Sequence, residues 1–276
     1  VPSQPLIRHR HAMTIVTADG EVAVFGVDME ASTIGRRLPD ARTKIWAEFS
    51  DDPMLVLADL FREMGLEQAS IAIELDYLPA GDFERLKSGM PKARFVDSAP
   101  LLARLRQIKT PSEIALLRRL SRIADQAITD ALAVVDEGHS EMDIAGHLTR
   151  NVYSLGAEHF KLMIVATGER SVLPNVGPSD RILKAGDVCR VEIFSVIGGY
   201  QAGVCRTAVV KRAPPKAEEI WSHLVECKYE IMEKVKPGAS CREIYDAFIA
   251  KLKAINLPPI SFVGHGIGLH LHEDPY

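Results

Sequence analysis

The stretch Gly264-His265-Gly266-Ile267-Gly268-Leu269-His270-Leu271-His272-Glu273 places three glycines and four titratable side chains in ten consecutive residues. Glycine lets the backbone adopt positive φ or approach a ligand closely. Histidine transfers protons and binds metals near neutral pH. The pattern is typical of a functional turn, but also of a glycine-rich turn with surface histidines, and the residues alone leave both interpretations open.

Upstream of this turn, residues 188–196 and 200–210 predict two antiparallel strands joined by a tight turn with two glycines. A turn centred at Ile197-Gly198 would place Glu192 opposite Gly203, and strand alternation would put both on one face. Glu192 stands in an apolar run, so we expect it to be buried, and a buried carboxylate needs a compensating role. It is either a functional carboxylate or a strand carboxylate paired with Arg190 or Arg206.

A long helix is predicted to begin at Thr110, because threonine can cap it, Pro111 suits its first position and Glu113 can complete a capping box. Apolar residues continue at helical spacing to Val134, and Gly138 is predicted to mark the end of the helix, because glycine suits the position that follows a helix C-terminus.

Residues 135–144 and 235–244 share valine, glycine, serine and isoleucine at a shift of 100 residues. Each copy places a serine cap three residues before an acid at the start of another helix. The repeat indicates either two helix–turn–helix units with common stop and start residues, or two related halves around one cleft.

The N-terminal part reads as a small α/β domain. It combines a hairpin with an Asp19-Gly20 turn, an amphipathic helix at residues 54–64 and a short strand at residues 70–74. A linker near residues 106–110 then predicts two domains, residues 1–106 and 107–276.

Four segments together resemble the superfamily that contains prolidase, Xaa-Pro aminopeptidase, methionine aminopeptidase and creatinase. They lie at residues 105–114, 165–168, 186–207 and 264–273, in the family's order. The resemblance implies an α/β (α+β) pita-bread fold. A creatinase-like N-terminal domain would precede a catalytic domain with two pseudo-symmetric halves around a curved antiparallel sheet.

The resemblance also implies a metal site, and this chain departs from it. Peptidase members hold two metal ions with two aspartates on the hairpin, one histidine and two later glutamates. The matching positions are Glu192, Gly203 and His265, and the later glutamates would fall beyond Tyr276. Because glycine has no side-chain ligand atom, we expect the bridging arrangement to be broken and no metal cofactor to be bound. Binding of Mn, Co or Zn by Glu192 and His265 with later glutamates is the alternative.

Creatinase and the ectoine hydrolases resemble this chain in that departure, since they keep the fold without metals. The amino-acid sequence of the hairpin at residues 194–200 also resembles that of the creatinase hairpin. We therefore expect a metal-independent hydrolase that cleaves a C–N bond in a small nitrogenous substrate. Glu192 would be its base or nucleophile, and His265 and His272 would polarise or protonate the substrate. The alternatives are a metal-dependent Xaa-Pro dipeptidase or aminopeptidase with altered ligands, and a non-catalytic binding module.

Three further residues are predicted to contact the substrate. By resemblance to creatinase, Arg10 would bind a substrate carboxylate across a homodimer, although it also fits a solvated basic run. Asn175 falls near a creatinase His-Asn pair, but Pro174 stands where the histidine would be, which argues against creatine as substrate. Gly203 would leave room for a ligand beside Glu192.

Composition narrows the function classes. A net charge of −4 and a pI near 6.2 argue against nucleic-acid binding. The apolar runs are shorter than the ~20 residues that span a bilayer, so we expect no membrane partner. The four cysteines lack CxxC spacing, which favours free thiols in a reducing cytoplasm. The chain begins with Val1 and stops just after the glycine-rich turn, so we expect residues to be absent at both ends.

Overall fold

The computed structural model describes residues 10–275, which form two compact units that meet within one helix, between Leu102 and Ala103. The predicted α/β fold is confirmed. The predicted boundary at residue 106 stays a prediction, because the helix that spans it runs unbroken from Ala99 to Gln107.

Within residues 10–102, the first unit contains two small sheets and several helices. The elements in chain order are β1 (Met13–Val16), β2 (Val22–Val27), α1 (Ala31–Arg37), β3 (Arg42–Trp46), α2 (Pro53–Glu63), β4 (Ser70–Ile73), α3 (Ala80–Gly89), β5 (Arg94–Asp97) and α4 (Ala99–Gln107). The predicted hairpin is present, since β1 and β2 pair antiparallel, and β3 pairs parallel with β2. Helix α2 begins at Pro53, where the Asp52 side chain caps the Met54 amide.

The core of the first unit forms where α2 packs on the sheet. Phe25, Trp46 and Leu57 are each at most 2% exposed. The indole of Trp46 donates to the backbone carbonyl of His11 at 3.0 Å, which satisfies its one polar atom inside the core.

The second unit is built around a three-stranded antiparallel sheet. The elements in chain order are α5 (Pro111–Val134), α6 (Glu141–Ser154), β6 (His159–Thr167), β7 (Val188–Ile197), β8 (Tyr200–Val209), α7 (Pro215–Lys234) and α8 (Cys241–Ala254). The strand order in the sheet is β6-β7-β8. Thr110 and Glu113 form the predicted capping box of α5, and Ser140 and Asp143 form another at α6.

The repeat seen in the sequence corresponds to equivalent local geometry. Gly138 follows α5 with φ +91°, and Gly238 follows α7 with φ +85°. Ser140 and Ser240 then cap α6 and α8 through the amides of residues 143 and 243. The pairs α5–α6 and α7–α8 are therefore matching helix–turn–helix units, as the pseudo-symmetric fold requires.

One face of the sheet is covered and the other carries polar side chains. Val191 and Ile193 of β7 are fully buried in a core that includes Ile128 of α5 and Leu148 of α6. The hydroxyl of Ser195, on the same face, donates to the Leu120 carbonyl of α5 at 2.8 Å. Alternation along β7 places the even-numbered residues on the opposite face, which is open at Arg190 and Glu192, both partly exposed, whereas Phe194 and Val196 are buried. No helix within residues 10–275 is long and apolar enough to cross a membrane.

Candidate active site

The β7–β8 turn sets the register of the hairpin. Gly198 and Gly199 have φ values of +58° and +83°, which suits a two-residue turn of the kind that matches strand twist. Glu192 therefore pairs with Cys205, and Gly203 pairs with Phe194. The predicted direct pairing of Glu192 with Gly203 is wrong, because the turn is centred between Gly198 and Gly199 and not between Ile197 and Gly198. The two residues remain on one face as diagonal neighbours.

The space expected at Gly203 is already filled. A Cβ atom at this position would lie 2.4 Å from the Ile193 carbonyl oxygen and 2.6 Å from Cγ of Phe194. Glycine is thus needed for close packing of the two strands, and the prediction of ligand space beside it is wrong. The Phe194 ring occupies that place.

Glu192 lies half-buried on the open face of β7. Burial raises the pKa of its carboxyl, and the positive charges of Arg190 and His265 oppose that shift. Its side chain makes no hydrogen bond to any residue between 10 and 275. A desolvated carboxylate without a hydrogen-bonding partner is a group that a cation or a substrate proton would stabilise.

Neither arginine proposed as a structural partner for Glu192 forms an ion pair with it. Arg206 pairs with Asp125 of α5 at 2.7 Å. Arg190 donates through Nη2 to the carbonyl oxygens of Leu173 and Pro174, at 2.5 and 2.8 Å. The carboxylate is therefore available for a functional role.

The glycine-rich turn is held by Glu273. Its backbone exchanges hydrogen bonds with Gly266, and its carboxylate accepts from the His270 amide at 3.1 Å and from Lys109 at 2.7 Å. A Cβ atom at Gly268 would lie 2.6 Å from Oε2 of Glu273, so the carboxylate packs directly on the turn. Burial raises the pKa of Glu273, but Lys109 and the His270 amide outweigh it, and the net shift is downward.

His265 and His272 are brought together by this turn. Their ring centroids are 4.1 Å apart. Nδ1 of His265 lies 2.8 Å from the Gly266 carbonyl, which can only accept, so Nδ1 carries a proton and Nε2 is the ring nitrogen that could bind a metal. Burial and the charge of His265 lower the pKa of His272. His270 instead contacts Arg106, at 3.2 Å.

The predicted substrate-contacting residues lie in different settings. Arg10 donates through Nε to Glu48 at 2.7 Å within the first unit. Asn175 is exposed, in the loop whose carbonyl groups Arg190 binds. Their roles toward a substrate stay predictions.

An open groove of about 860 Å³ borders His265 on the side of α5. Lys109, Arg118 and Arg122 line it together with apolar side chains, but Glu192 does not. We therefore place the candidate site on the open hairpin face, where the carboxylate and the histidine influence each other.

The open face offers two side chains that suit a metal ion. Glu192 and His265 offer one carboxylate and one imidazole, ligand types that Mn, Co and Zn accept. Within the described range, no group of three or more His, Cys, Asp or Glu side chains converges on one point. The described residues thus supply part of a site for one cation and do not supply the ligands of a two-metal site.

Two known protein families match this chain. The model of metallopeptidase family M24 matches residues 115–276, and that of the creatinase/prolidase N-terminal domain matches residues 8–108. The chain belongs to metallopeptidase family M24. The resemblance drawn from the four sequence segments is confirmed.

Similar proteins include Xaa-Pro dipeptidases of two Pyrococcus species. The chain is 29% identical over 212 residues to an Xaa-Pro dipeptidase of Pyrococcus furiosus, covering 76% of this chain and 60% of that protein. It is 30% identical over 210 residues to an Xaa-Pro dipeptidase of Pyrococcus horikoshii, covering 75% and 59%. The chain spans about three-fifths of the length of these relatives. A recombinant prolidase from Thermococcus sibiricus has the same fold, with a TM-score of 0.87, 23% identity and coverage of 100% of this chain and 74% of that one.

These findings correct two expectations. The metal-independent, creatinase-like or ectoine-hydrolase-like reaction is wrong, because the matching family is one of metallopeptidases and the relatives are Xaa-Pro dipeptidases. The expectation of no metal cofactor is wrong for the same reason. Loss of one carboxylate at Gly203 removes a bridging ligand, but Glu192 and His265 keep the carboxylate and imidazole that a cation requires.

Sequence reasoning missed three contributions to the site. Lys109 was seen only as part of a linker motif, yet it contacts Glu273 from 164 residues away in the chain. Arg190 was considered only as a partner of Glu192. Phe194 was not considered as the side chain that fills the place beside Gly203. The alternation of residues along β7 indicates that the even-numbered side chains share a face, but it does not indicate which contacts they make on that face.

Proposed function

We propose that this chain carries the active site of a divalent-metal-dependent peptidase that hydrolyses Xaa-Pro dipeptides. The match of residues 115–276 to a metallopeptidase family supports the proposal most strongly. The electrostatic effect of His265 on Glu192 supports it independently, since both are metal-binding groups and Glu192 has no hydrogen-bonding partner among residues 10–275.

Each site residue has a proposed role. Glu192 and His265 would contribute ligands to a cation, which when bound would polarise the scissile carbonyl. His272 would exchange a proton with the substrate, because its lowered pKa keeps the imidazole neutral and able to accept at neutral pH. Asn175 would contact the peptide from the loop that Arg190 anchors, and Arg10 would bind a carboxylate.

The partner and location are proposals of the same kind. The substrate would be a small peptide, and the protein would act as a homodimer in the cytoplasm. Support for a reducing compartment comes from Cys189, Cys205, Cys227 and Cys241, which are all free thiols. Light scattering of the purified protein would test the dimer, and a monomeric mass would exclude it.

A non-catalytic peptide-binding role is the second candidate. It is favoured by the loss of the carboxylate at Gly203 and by the shortage of converging ligands in residues 10–275. In that case the open hairpin face would bind a peptide without cleaving it.

The test is hydrolysis of Gly-Pro and Ala-Pro by purified full-length protein. We expect activity to disappear in chelator and return with Mn²⁺ or Co²⁺, and to disappear in Glu192→Gln. Glu219→Gln, which alters an exposed carboxylate on α7, is the matched control and should retain activity. Binding of the dipeptides without turnover under any metal condition would support the binding role and overturn the peptidase proposal.

A further inference from the structure

The packing around Gly203 leaves no space on the hairpin for a second side chain that could bind a metal. A side chain at this position would collide with the Ile193 carbonyl oxygen at 2.4 Å, and this atom belongs to the backbone of the paired strand. A flexible side chain can rotate away from such a collision, but a ladder carbonyl cannot move without breaking strand pairing. Glycine at position 203 is thus part of how β7 and β8 pack, together with Phe194.

Arg190 adds a fixed positive charge to the same face. It stands two residues before Glu192 on β7, which places the two Cα atoms roughly 6–7 Å apart. Its guanidinium charge acts on Glu192 and also on Cys205, the residue directly opposite Glu192. A guanidinium stays protonated in proteins. A cation bound at Glu192 would therefore share this face with a permanent positive charge.

The anchoring of Arg190 keeps that charge in place. Nη2 is bound to the carbonyl oxygens of Leu173 and Pro174, and Nε is buried without a hydrogen-bond partner in residues 10–275. Two carbonyl contacts fix the direction of the side chain without neutralising it, because a carbonyl group carries no net charge.

We infer that the open face of the β7–β8 hairpin accommodates at most one divalent cation, and that the guanidinium of Arg190 supplies positive charge beside Glu192 in place of a second ion. Two metal ions ~3.5–4 Å apart need bridging carboxylates to offset their repulsion. Of the two hairpin positions one carboxylate remains, at Glu192, the position of the other is closed by Ile193 and Phe194, and the guanidinium of Arg190 stands two residues from Glu192. The inference rests on the proposed metal-dependent function.

The test measures metal binding directly, by isothermal titration of chelator-treated full-length protein with MnCl₂ and by elemental analysis after dialysis. We expect no more than one equivalent of Mn²⁺ per chain. Arg190→Gln should bind Mn²⁺ at least ~10-fold more tightly, because it removes the neighbouring positive charge. Arg190→Lys keeps the charge and should stay within ~3-fold of the unmodified protein. Near-ultraviolet circular dichroism verifies that each variant is folded.

Each outcome bears on the inference. Two equivalents of Mn²⁺ in the unmodified protein would overturn it, even if the protein hydrolyses Xaa-Pro dipeptides. Unchanged or weaker binding by folded Arg190→Gln would overturn the role of Arg190. One equivalent without dipeptide hydrolysis would support the inference while the proposed function fails. If the protein binds no metal, the limit of one cation still holds, but the metal dependence of the proposed function is contradicted.

Discussion

Glu192 combines a functional position with an electrostatic cost. Burial raises the pKa of the Glu192 carboxyl above its unfolded value, because the ionised carboxylate is the form that burial destabilises. The favourable contribution of the protonated side chain is fully present below the unfolded pKa and is lost as the pH rises through the folded pKa. Glutamine avoids that cost. We expect Glu192→Gln to lose at least ~100-fold in kcat/KM toward Xaa-Pro dipeptides, while its free energy of unfolding at pH 7, measured in urea, is equal or higher.

Glu141 provides the opposite case among the carboxylates of the second unit. It is fully buried, and it accepts from the amides and hydroxyls of Thr167 and Ser179 and pairs with Arg170 at 3.2 Å. Glu141→Gln should therefore cost about 3 kcal/mol in the same urea experiment. A comparable loss in Glu192→Gln would contradict a functional role for Glu192 and indicate a structural one.

The glycine-rich turn, as an element, depends on the buried pair of Lys109 and Glu273, whose side chains are 13% and 5% exposed. Lys109→Met keeps the length of the side chain but leaves the buried carboxylate of Glu273 without its ion-pair partner. We expect it to lower the free energy of unfolding by about 3 kcal/mol and to reduce activity, because the turn positions His265 and His272. Lys87→Met, which breaks an exposed pair with Glu84 on α3, should change stability by less than ~0.5 kcal/mol. Equal effects of the two variants would contradict a buried, structural pair at the turn.

The elements also show what the sequence can predict. The capping boxes at Thr110 and Ser140 were predictable because both involve residues three apart in the chain. The hairpin strands were predictable from alternation, but their register depended on whether the turn was centred before or after Gly198, a choice that both glycines permit. The Lys109–Glu273 contact could not be predicted, because it joins segments 164 residues apart and depends on the folded sheet and helices between them. Interactions between residues close in the chain therefore predict the helices and strands, whereas tertiary packing determines how the site is assembled.

Across the whole molecule, the second unit is expected to be sensitive to acid. Several of its carboxylates have lowered pKa values, including Glu113, held at about 2 chiefly by the Tyr200 hydroxyl, and Glu169, held at about 2 chiefly by Arg181. Arg181 also lowers the pKa of Asp187. Carboxyls with depressed folded pKa values stabilise the protein above their unfolded pKa, and this contribution is lost as the pH falls through the folded pKa.

The free energy of unfolding should therefore fall steadily between about pH 4.5 and about pH 2, the interval between the unfolded and folded pKa values. Urea unfolding at a series of pH values, followed by circular dichroism, measures this decline. Arg181→Met removes the donor shared by Glu169 and Asp187, so the variant should be less stable at pH 7 and should lose less stability than the unmodified protein on acidification. If the two pH profiles run parallel, the ion pairs of Arg181 with Glu169 and Asp187 do not contribute to acid sensitivity, and equal stability of the two proteins at pH 7 would show that they do not stabilise the second unit at neutral pH either.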